Sequence, residues 1–446
     1  MNTHDIRVAI VADDLTGAND TAVQFARFGW ASSIHLEIDD AALTRRRGDS
    51  IEQPSARPRA IATTADNRAL DAEQARVSTA QRVATALDDN ANRLFLKIDS
   101  TMRGSVGAQI DGARTAWAEV HARAIVVVCP AYPSMGRMVD DGRLVVDGVP
   151  VSETVVGRDP VTPVTSSLMH ELIPGAQHVG RLDVAALAAA ENGAVLLVDA
   201  TTEADLDELA AVLARHADSV IPVGSAGLAK AMARHWHPRR DANVDTAFDS
   251  GVDDVSSTTP AEAGTQNRVD GLHVVQVTSL NEVSRTQADH LESGAATPIA
   301  VCRLTLDDVD SAESILAALQ RSRADAPDAT VVILRAPDER SASAGSPAAQ
   351  RIAEAMGEAT ASLARSEPIA SLGLVGGDGA RATLRALGIS SVSVLRALTE
   401  GVPFGIAEDG ELPQLRIWTK AGGFGAPDSL SDIVRDLTGS SAALSS

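Results

Sequence analysis

Short runs of β-branched and apolar residues recur along this 446-residue chain, and long Ala-rich stretches with helical spacing separate many of them. The runs that read as strands are 6–12, 93–98, 124–129, 194–199, 219–223, 272–277, 298–302, 330–334, 370–375 and 392–395. Segments such as 203–216, 309–321 and 348–365 place apolar residues at the spacing of one helix face. Fully apolar strands are buried on both faces, and alternation with helices makes them neighbours in a parallel sheet. The expected class is therefore α/β, as two domains, each a mostly parallel sheet with helices on both faces.

The alternation breaks once. Residues 237–270 are polar and rich in Ser, Thr, Asp and Gly, the composition of an exposed linker. The expected division is an N-terminal domain over 1–236, a linker over 237–270 and a C-terminal domain over 271–438. Residues 439–446 (GSSAALSS) read as a frayed tail. A chain this long exceeds one ordinary core, which agrees with two domains.

Charge and cysteine content narrow the function. The formal net charge is −21, which argues against nucleic acid as a partner, because phosphate backbones call for basic surfaces. Small anions need only a few local donors and stay open as ligands. The two cysteines, Cys129 and Cys302, each close an apolar run and suggest a reducing compartment. No export signal is expected, because the apolar run 8–12 stops at Asp13 and Asp14. No stretch approaches the roughly 20 apolar residues of a membrane span. The expected location is the cytoplasm, with no membrane partner.

In open α/β sheets, ligands bind beyond the carboxyl ends of the strands. Strand 6–12 runs into Asp13-Asp14-Leu15-Thr16-Gly17-Ala18-Asn19-Asp20, and strand 93–98 into Asp99-Ser100-Thr101-Met102-Arg103-Gly104. Strand 124–129 leads to a loop with Arg137, and 219–223 to Gly224-Ser225-Ala226-Gly227. In the back half, 272–277 leads to Thr278-Ser279-Leu280-Asn281 and 370–375 to Gly376-Gly377-Asp378-Gly379. A late run leads to Thr419-Lys420-Ala421-Gly422-Gly423. Glycine lets a backbone N–H approach a phosphate, and a following helix N-terminus adds a favourable dipole. Such residues also serve as plain turns and caps, but seven such loops together point to a site.

Lysine is rare here. Only Lys97, Lys230 and Lys420 occur against an arginine background, and all three lie in or beside these loops. A compact ammonium contacts a transferring phosphoryl group as a point charge. Lys97 and Lys420 read as functional, and Lys230 as a helix-surface residue. Of Asp13 and Asp14, one can accept a proton from a substrate hydroxyl while the other orients it or helps hold magnesium. Asp99 can anchor substrate hydroxyls while Arg103 takes a carboxylate. No resident metal site is assigned. There is no G-x-x-x-x-G-K-[ST] loop, H-E-x-x-H helix or paired C-x-x-C. Gly377-x-Gly379-x-x-Ala382 fits the dinucleotide fingerprint, although Arg396 stands where an acidic residue is wanted.

Five segments in order, ADDLTGAND (12–20), KIDSTMRG (97–104), PAYPSMGR with DGRLVVDGVPV (130–137 and 141–151), VGSAGLA (223–229) and TKAGGFG (419–425), resemble the four-carbon acid sugar kinases. The resemblance spans the chain apart from linker and tail. It implies a sugar-acid-binding domain followed by a nucleotide-binding domain. It also implies that Asp13, Asp14, Lys97, Asp99, Ser100, Arg103 and Arg137 surround the sugar acid. Ser279, Gly376, Gly377, Asp378, Gly379 and Gly422 would hold ATP, with Lys420 beside them and Mg2+ as co-substrate. Thr278 replaces a glycine usual in the first nucleotide loop, Val375 and Gly379 replace two hydroxyl residues of the second, and Ala421 replaces a serine. GANDTAVQ (17–24) resembles threonate and erythronate kinases more than 3-oxo-tetronate kinases, which favours D-threonate and its 4-phosphate. A nicotinamide-dependent oxidoreductase and a non-catalytic sugar-acid sensor stay open as alternatives. A homodimer is one assembly open to such a chain.

Overall fold

The computed structural model describes residues 6–36, 58–237, 271–294, 297–338, 347–423 and 425–439. The expected linker, apart from His237, and the tail beyond Gly439 lie outside the described residues. The chain divides into two compact units. One comprises residues 1–236 with 388–410, the other 237–387 with 411–446.

The first unit is built on strands β1 (Arg7–Ala12), β2 (Ala31–His35), β3 (Arg59–Thr64), β4 (Arg93–Lys97) and β5 (Ile125–Cys129). A three-stranded antiparallel arm follows, β6 (Arg137–Asp140), β7 (Arg143–Val146) and β8 (Val149–Pro150). The main sheet continues with β9 (Gln177–Gly180), β10 (Val195–Val198) and β11 (Val220–Gly224). The second unit holds β12 (Leu272–Val277), β13 (Ile299–Arg303), β14 (Val331–Arg335), β15 (Ile369–Val375) and, near its end, β18 (Arg416–Lys420). Between β15 and β18 the chain makes a hairpin, β16 (Ser391–Thr399) and β17 (Val402–Ala407).

That hairpin belongs to the first unit. Its strand β16 pairs antiparallel with β2, Val392 opposite Ile34 and Ser393 opposite Ser33. Residues 388–410, grouped by the sequence with the back half, therefore extend the front sheet. The reason is an edge: β2 is parallel to β3 on one side and would otherwise present unpaired N–H and C=O groups on the other. Among the described residues the front order is β17-β16-β2-β3-β1-β4-β11-β5-β10-β9, parallel except at the hairpin. The back order is β13-β14-β12-β15-β18, parallel throughout. Both sheets carry helices on their faces, as expected of the class.

Central strands bury nearly every residue. Ile10, Val11 and Ala12 of β1, Phe95 of β4 and Val126 to Val128 of β5 are inaccessible to solvent. Strands β2 and β3 alternate buried and half-buried positions and carry no continuous apolar run, so the sequence alone does not reveal them. Their placement matters, because β1 lies between β3 and β4 and the loops leaving all three emerge side by side.

Candidate active site

At the carboxyl end of β1, Asp13 is buried and Asp14 caps the helix Leu15–Arg27, accepting the N–H of Gly17 at 2.6 Å. Gly17 packs closely at the same helix start. A Cβ there would lie 3.1 Å from Asp14 Oδ1 and 3.1 Å from Lys97 Nζ. Lys97 closes β4 and is buried, its Nζ donating to the Ile98 carbonyl at 2.8 Å, with no carboxylate within ion-pair distance among the described residues. Two residues on, Asp99 Oδ1 accepts the Thr101 N–H at 2.9 Å and the Thr101 hydroxyl, and Oδ2 accepts from Arg103 Nη2 at 2.6 Å.

One residue ties these carboxylates together, and sequence reasoning missed it. Arg68, in the loop after β3, places Nε 2.8 Å from Asp13, Nη1 2.7 Å from Asp14 and Nη2 3.5 Å from Asp99. Its loop is held by Asn67, whose buried amide donates to the Ala75 carbonyl and the hydroxyls of Ser78 and Thr79. The Asn67 N–H reaches the Asp13 carbonyl at 3.1 Å. Gly104, at φ +87°, admits the Arg68 backbone where a Cβ would lie 2.8 Å from its carbonyl oxygen. The signal available in the sequence was Ala-Asp-Asn-Arg after the run RAIATT (59–64), hidden by that run's modest hydrophobicity.

The electrostatics separate the acids. Burial pushes Asp99 up, but Arg68 and Arg103 outweigh it and hold its carboxyl well below the usual range. Burial wins at Asp13, which is raised despite Arg68, with Asp14 adding to the rise. The guanidinium groups keep spare donors: Nε of Arg103 and Nε of Arg137 are buried without a partner. Arg137 stands at the base of the arm, its Nη1 donating to the Met135 carbonyl of its own loop. Ser100 is half-buried in the turn after β4. Lys230 lies on a helix surface, 4.0 Å from Glu203, as expected.

The second unit gathers three loops, two of them bearing glycines. Thr278 and Ser279 follow β12, and both N–H groups reach the Val375 carbonyl, at 2.9 and 3.2 Å. Gly376, at φ +112°, caps the helix Gly377–Ala386 without any side-chain hydrogen bond, and its N–H donates to the Lys420 carbonyl at 3.1 Å. Gly422 abuts Ser279, since a Cβ on it would lie 2.1 Å from the Ser279 hydroxyl, and its carbonyl accepts from Ser284 at 2.7 Å. Around Gly377 a Cβ would meet nothing within 4 Å, whereas one on Gly379, in the same turn, would lie 2.2 Å from the Thr278 hydroxyl. Asp378 is exposed beside it. Lys420 is buried, donates Nζ to the Ala421 carbonyl at 2.8 Å, and is pushed by burial down to about 8. Ser279, Gly376, Gly377, Asp378, Gly379, Lys420 and Gly422 thus meet at one sheet edge. No group of three His, Cys, Asp or Glu side chains suited to a metal occurs among the described residues.

Residues 8–232 match the family model described as a sugar-binding N-terminal domain, and residues 274–430 match the nucleotide-binding C-terminal domain. The chain is 35% identical to a D-threonate kinase of Bordetella bronchiseptica over 95% of both chains. It belongs to the four-carbon acid sugar kinase family. A second relative in that family, a D-threonate kinase of Salmonella typhimurium, is 27% identical over 96% of this chain and 97% of its own. A crystal structure of another Salmonella typhimurium protein shares the fold, with a TM-score of 0.72 at 19% identity, covering 96% of this chain and 99% of that one. Two further groups lie beside the Asp13–Lys97 cluster: Glu400 was not singled out in the sequence, and Asp20 ends the segment ADDLTGAND (12–20). Glu400, at the tip of the β16–β17 hairpin, accepts from Gln24 at 2.9 Å, from Arg27 at 2.6 Å and from the Tyr132 hydroxyl. Asp20 is buried one turn beyond Gly17 on the helix that Asp14 caps.

Proposed function

We propose that this chain is an ATP-dependent kinase that phosphorylates D-threonate, giving D-threonate 4-phosphate. The observation that carries the reading is the cluster of Asp13, Asp14, Lys97, Asp99, Arg68 and Arg103, within the region matched by the sugar-binding model. A small polyhydroxy acid asks for this combination: carboxylates to accept hydroxyl protons, and cations to take its own carboxylate and the incoming phosphoryl charge. The spare Nε donors of Arg103 and Arg137 suit the sugar acid's carboxylate. Ser100, between Asp99 and Thr101, offers a further hydroxyl at this edge.

ATP belongs to the second unit in this reading. The uncapped helix start at Gly377, with Gly376, Asp378 and Gly379, supplies N–H groups and dipole to the phosphates. Ser279 and Gly422 flank it, and Lys420 supplies a point charge. Among the described residues Lys420 has no carboxylate within ion-pair distance; a buried ammonium so placed is costly, and a phosphate relieves that cost. Magnesium arrives as MgATP. It holds phosphate oxygens and water readily and needs at most one or two protein carboxylates, so it requires no protein cage. Phosphoryl transfer then demands mainly positioning and charge stabilisation.

The nicotinamide reading is not retained, because the curated relatives are kinases. Cytoplasmic location is part of the proposal: the substrate ATP and two buried free thiols both suit it. No described helix is long and apolar enough to cross a membrane. A homodimer belongs to the same reading, and sedimentation velocity tests it. The deciding experiment is coupled ADP release over D-threonate, L-threonate, D-erythronate and 3-oxo-tetronate acids. Turnover highest with D-threonate supports the proposal; no turnover with any of them overturns it.

A further inference from the structure

Asp13, Asp14 and Asp99 each make at least one guanidinium contact. Asp20 differs. It is 8% exposed and, among the described residues, no hydrogen bond or ion pair holds it; Asp13 Oδ1 is buried without a partner as Asp20 Oδ1 is, but the other oxygen of Asp13 takes Arg68 at 2.8 Å. Buried polar atoms are nearly always satisfied, so an orphaned carboxylate oxygen in a site calls for an explanation.

Its position supplies one. Gly17, Asp20, Gln24 and Arg27 follow one another at helical spacing on a single face of the helix Leu15–Arg27. At the near end of that face, Gly17 lies against Lys97 Nζ and Asp14. At the far end, Gln24 and Arg27 hold Glu400, which also accepts from Tyr132. Asp20 is the acid between these two groups. Lys97 and Arg68 favour its charged form, while Asp14 and Glu400 oppose it. Tyr132 also lies within its electrostatic reach. Burial is the largest influence, and the carboxyl is pushed up to about 7.

We propose that Asp20 is the catalytic base of this kinase, receiving on its buried Oδ1 the proton of the hydroxyl that attacks ATP. The inference rests on the kinase reading above. In the step, the hydroxyl oxygen bonds to the γ-phosphorus and the bond from that phosphorus to the bridging oxygen of ADP breaks. ADP leaves with the bridging oxygen's electron pair, and the hydroxyl proton passes to Asp20 and later to water. Asp13 and Asp14 then orient the hydroxyls through their fixed geometry on Arg68, and Lys97 attracts the incoming phosphoryl group. A carboxylate free of cation contacts is the better base, because no guanidinium stabilises its anion.

The test compares the wild type with Asp20→Asn and Asp20→Glu on the best four-carbon acid, from pH 5.5 to 9. The wild type should lose kcat/KM about tenfold per unit below a pH near 7, as the free base protonates. Asp20→Asn should lower kcat by about 10²-fold or more, leave KM within a few-fold, and abolish the acid limb. Asp20→Glu should restore part of kcat together with the limb, which a purely structural role would not produce. An Asp20→Asn enzyme within threefold of wild-type kcat, or one that keeps the acid limb, overturns the proposal. If Asp20→Asn does not fold, an Asp20→Glu enzyme with an unmoved acid limb overturns it equally. A wild type that turns over no four-carbon acid sinks the kinase reading and this proposal together, whereas an active wild type indifferent to Asp20 sinks this proposal alone.

Discussion

Replacing Arg68 by methionine keeps the length and most of the volume of the side chain while removing the cation shared by Asp13, Asp14 and Asp99. Asp13 has only 1% of its side chain exposed and loses its one ion-pair partner. Asp99, 7% exposed, keeps Arg103 at 2.6 Å. Asp14 is 26% exposed and can turn toward water, though doing so weakens its cap on Gly17. Orphaning a buried charge costs about 3–5 kcal/mol. The relief at Asp14 and Asp99 puts Arg68→Met near the lower end, about 3 kcal/mol. For a unit of this size that lowers the unfolding temperature by on the order of 6–12 °C.

The sign of the pH dependence follows from the same groups. Asp99 lies below its ordinary value in the folded chain, so its contribution is present at neutral pH and is lost only as pH falls below the usual carboxylate range. Asp13 lies above its ordinary value, so its contribution is lost as pH rises through the folded value. Without Arg68 both carboxyls move up. The variant should therefore be most destabilised at pH 8, and the gap to wild type should narrow by pH 5. Tryptophan fluorescence reads this well, because Trp30, Trp117 and Trp236 all lie in the first unit. A gap of equal size at both pH values would mean that methionine simply packs badly. No gap would refute the shared-cation argument outright.

Three further outcomes are expected. Asp14→Asn keeps a competent helix cap, so its unfolding temperature should stay near wild type while kcat falls; Asp14→Ala should additionally lose about 1 kcal/mol of stability in a denaturant titration. Lys420, pushed down to about 8 by burial, should lose its charge as pH rises through that value, so KM for ATP should climb above pH 8 in steady-state kinetics. The apo chain should meanwhile gain stability between about 8 and the ordinary lysine value of 10.5, because folding favours the neutral amine. Gly379→Ala would force a Cβ to within 2.2 Å of the Thr278 hydroxyl, which should cost about 1–3 kcal/mol and raise KM for ATP. Thr278→Gly in the same chain should recover most of both.

The α/β class was legible because the central strands are buried on both faces, so their apolar runs are uninterrupted. The loops of the site were legible for a related reason: a strand that ends abruptly in Asp13-Asp14 or Lys97-Ile98-Asp99 marks its own carboxyl end. Arg68 was not, because β3 alternates half-buried residues and looks like any polar stretch. Nor was the true home of residues 388–410, since hairpin docking depends on which sheet has an unpaired edge, and a linear pattern does not record that. The pairing of Thr278 with Gly379 also emerges only in three dimensions, where one side chain fills the room that the other position lacks.

The loan of β16 and β17 to the front sheet has a consequence for synthesis. Chains emerge from the ribosome N-terminus first, and early domains generally fold before later ones are made. Here the leading half cannot seal its border until residue 407 has been translated, after most of the nucleotide-binding half is already out of the tunnel. The nascent protein must therefore wait with β2 bare, a stage at which chaperone shelter would count most. Any gene fragment that stops short of Gly388 inherits that raw border permanently.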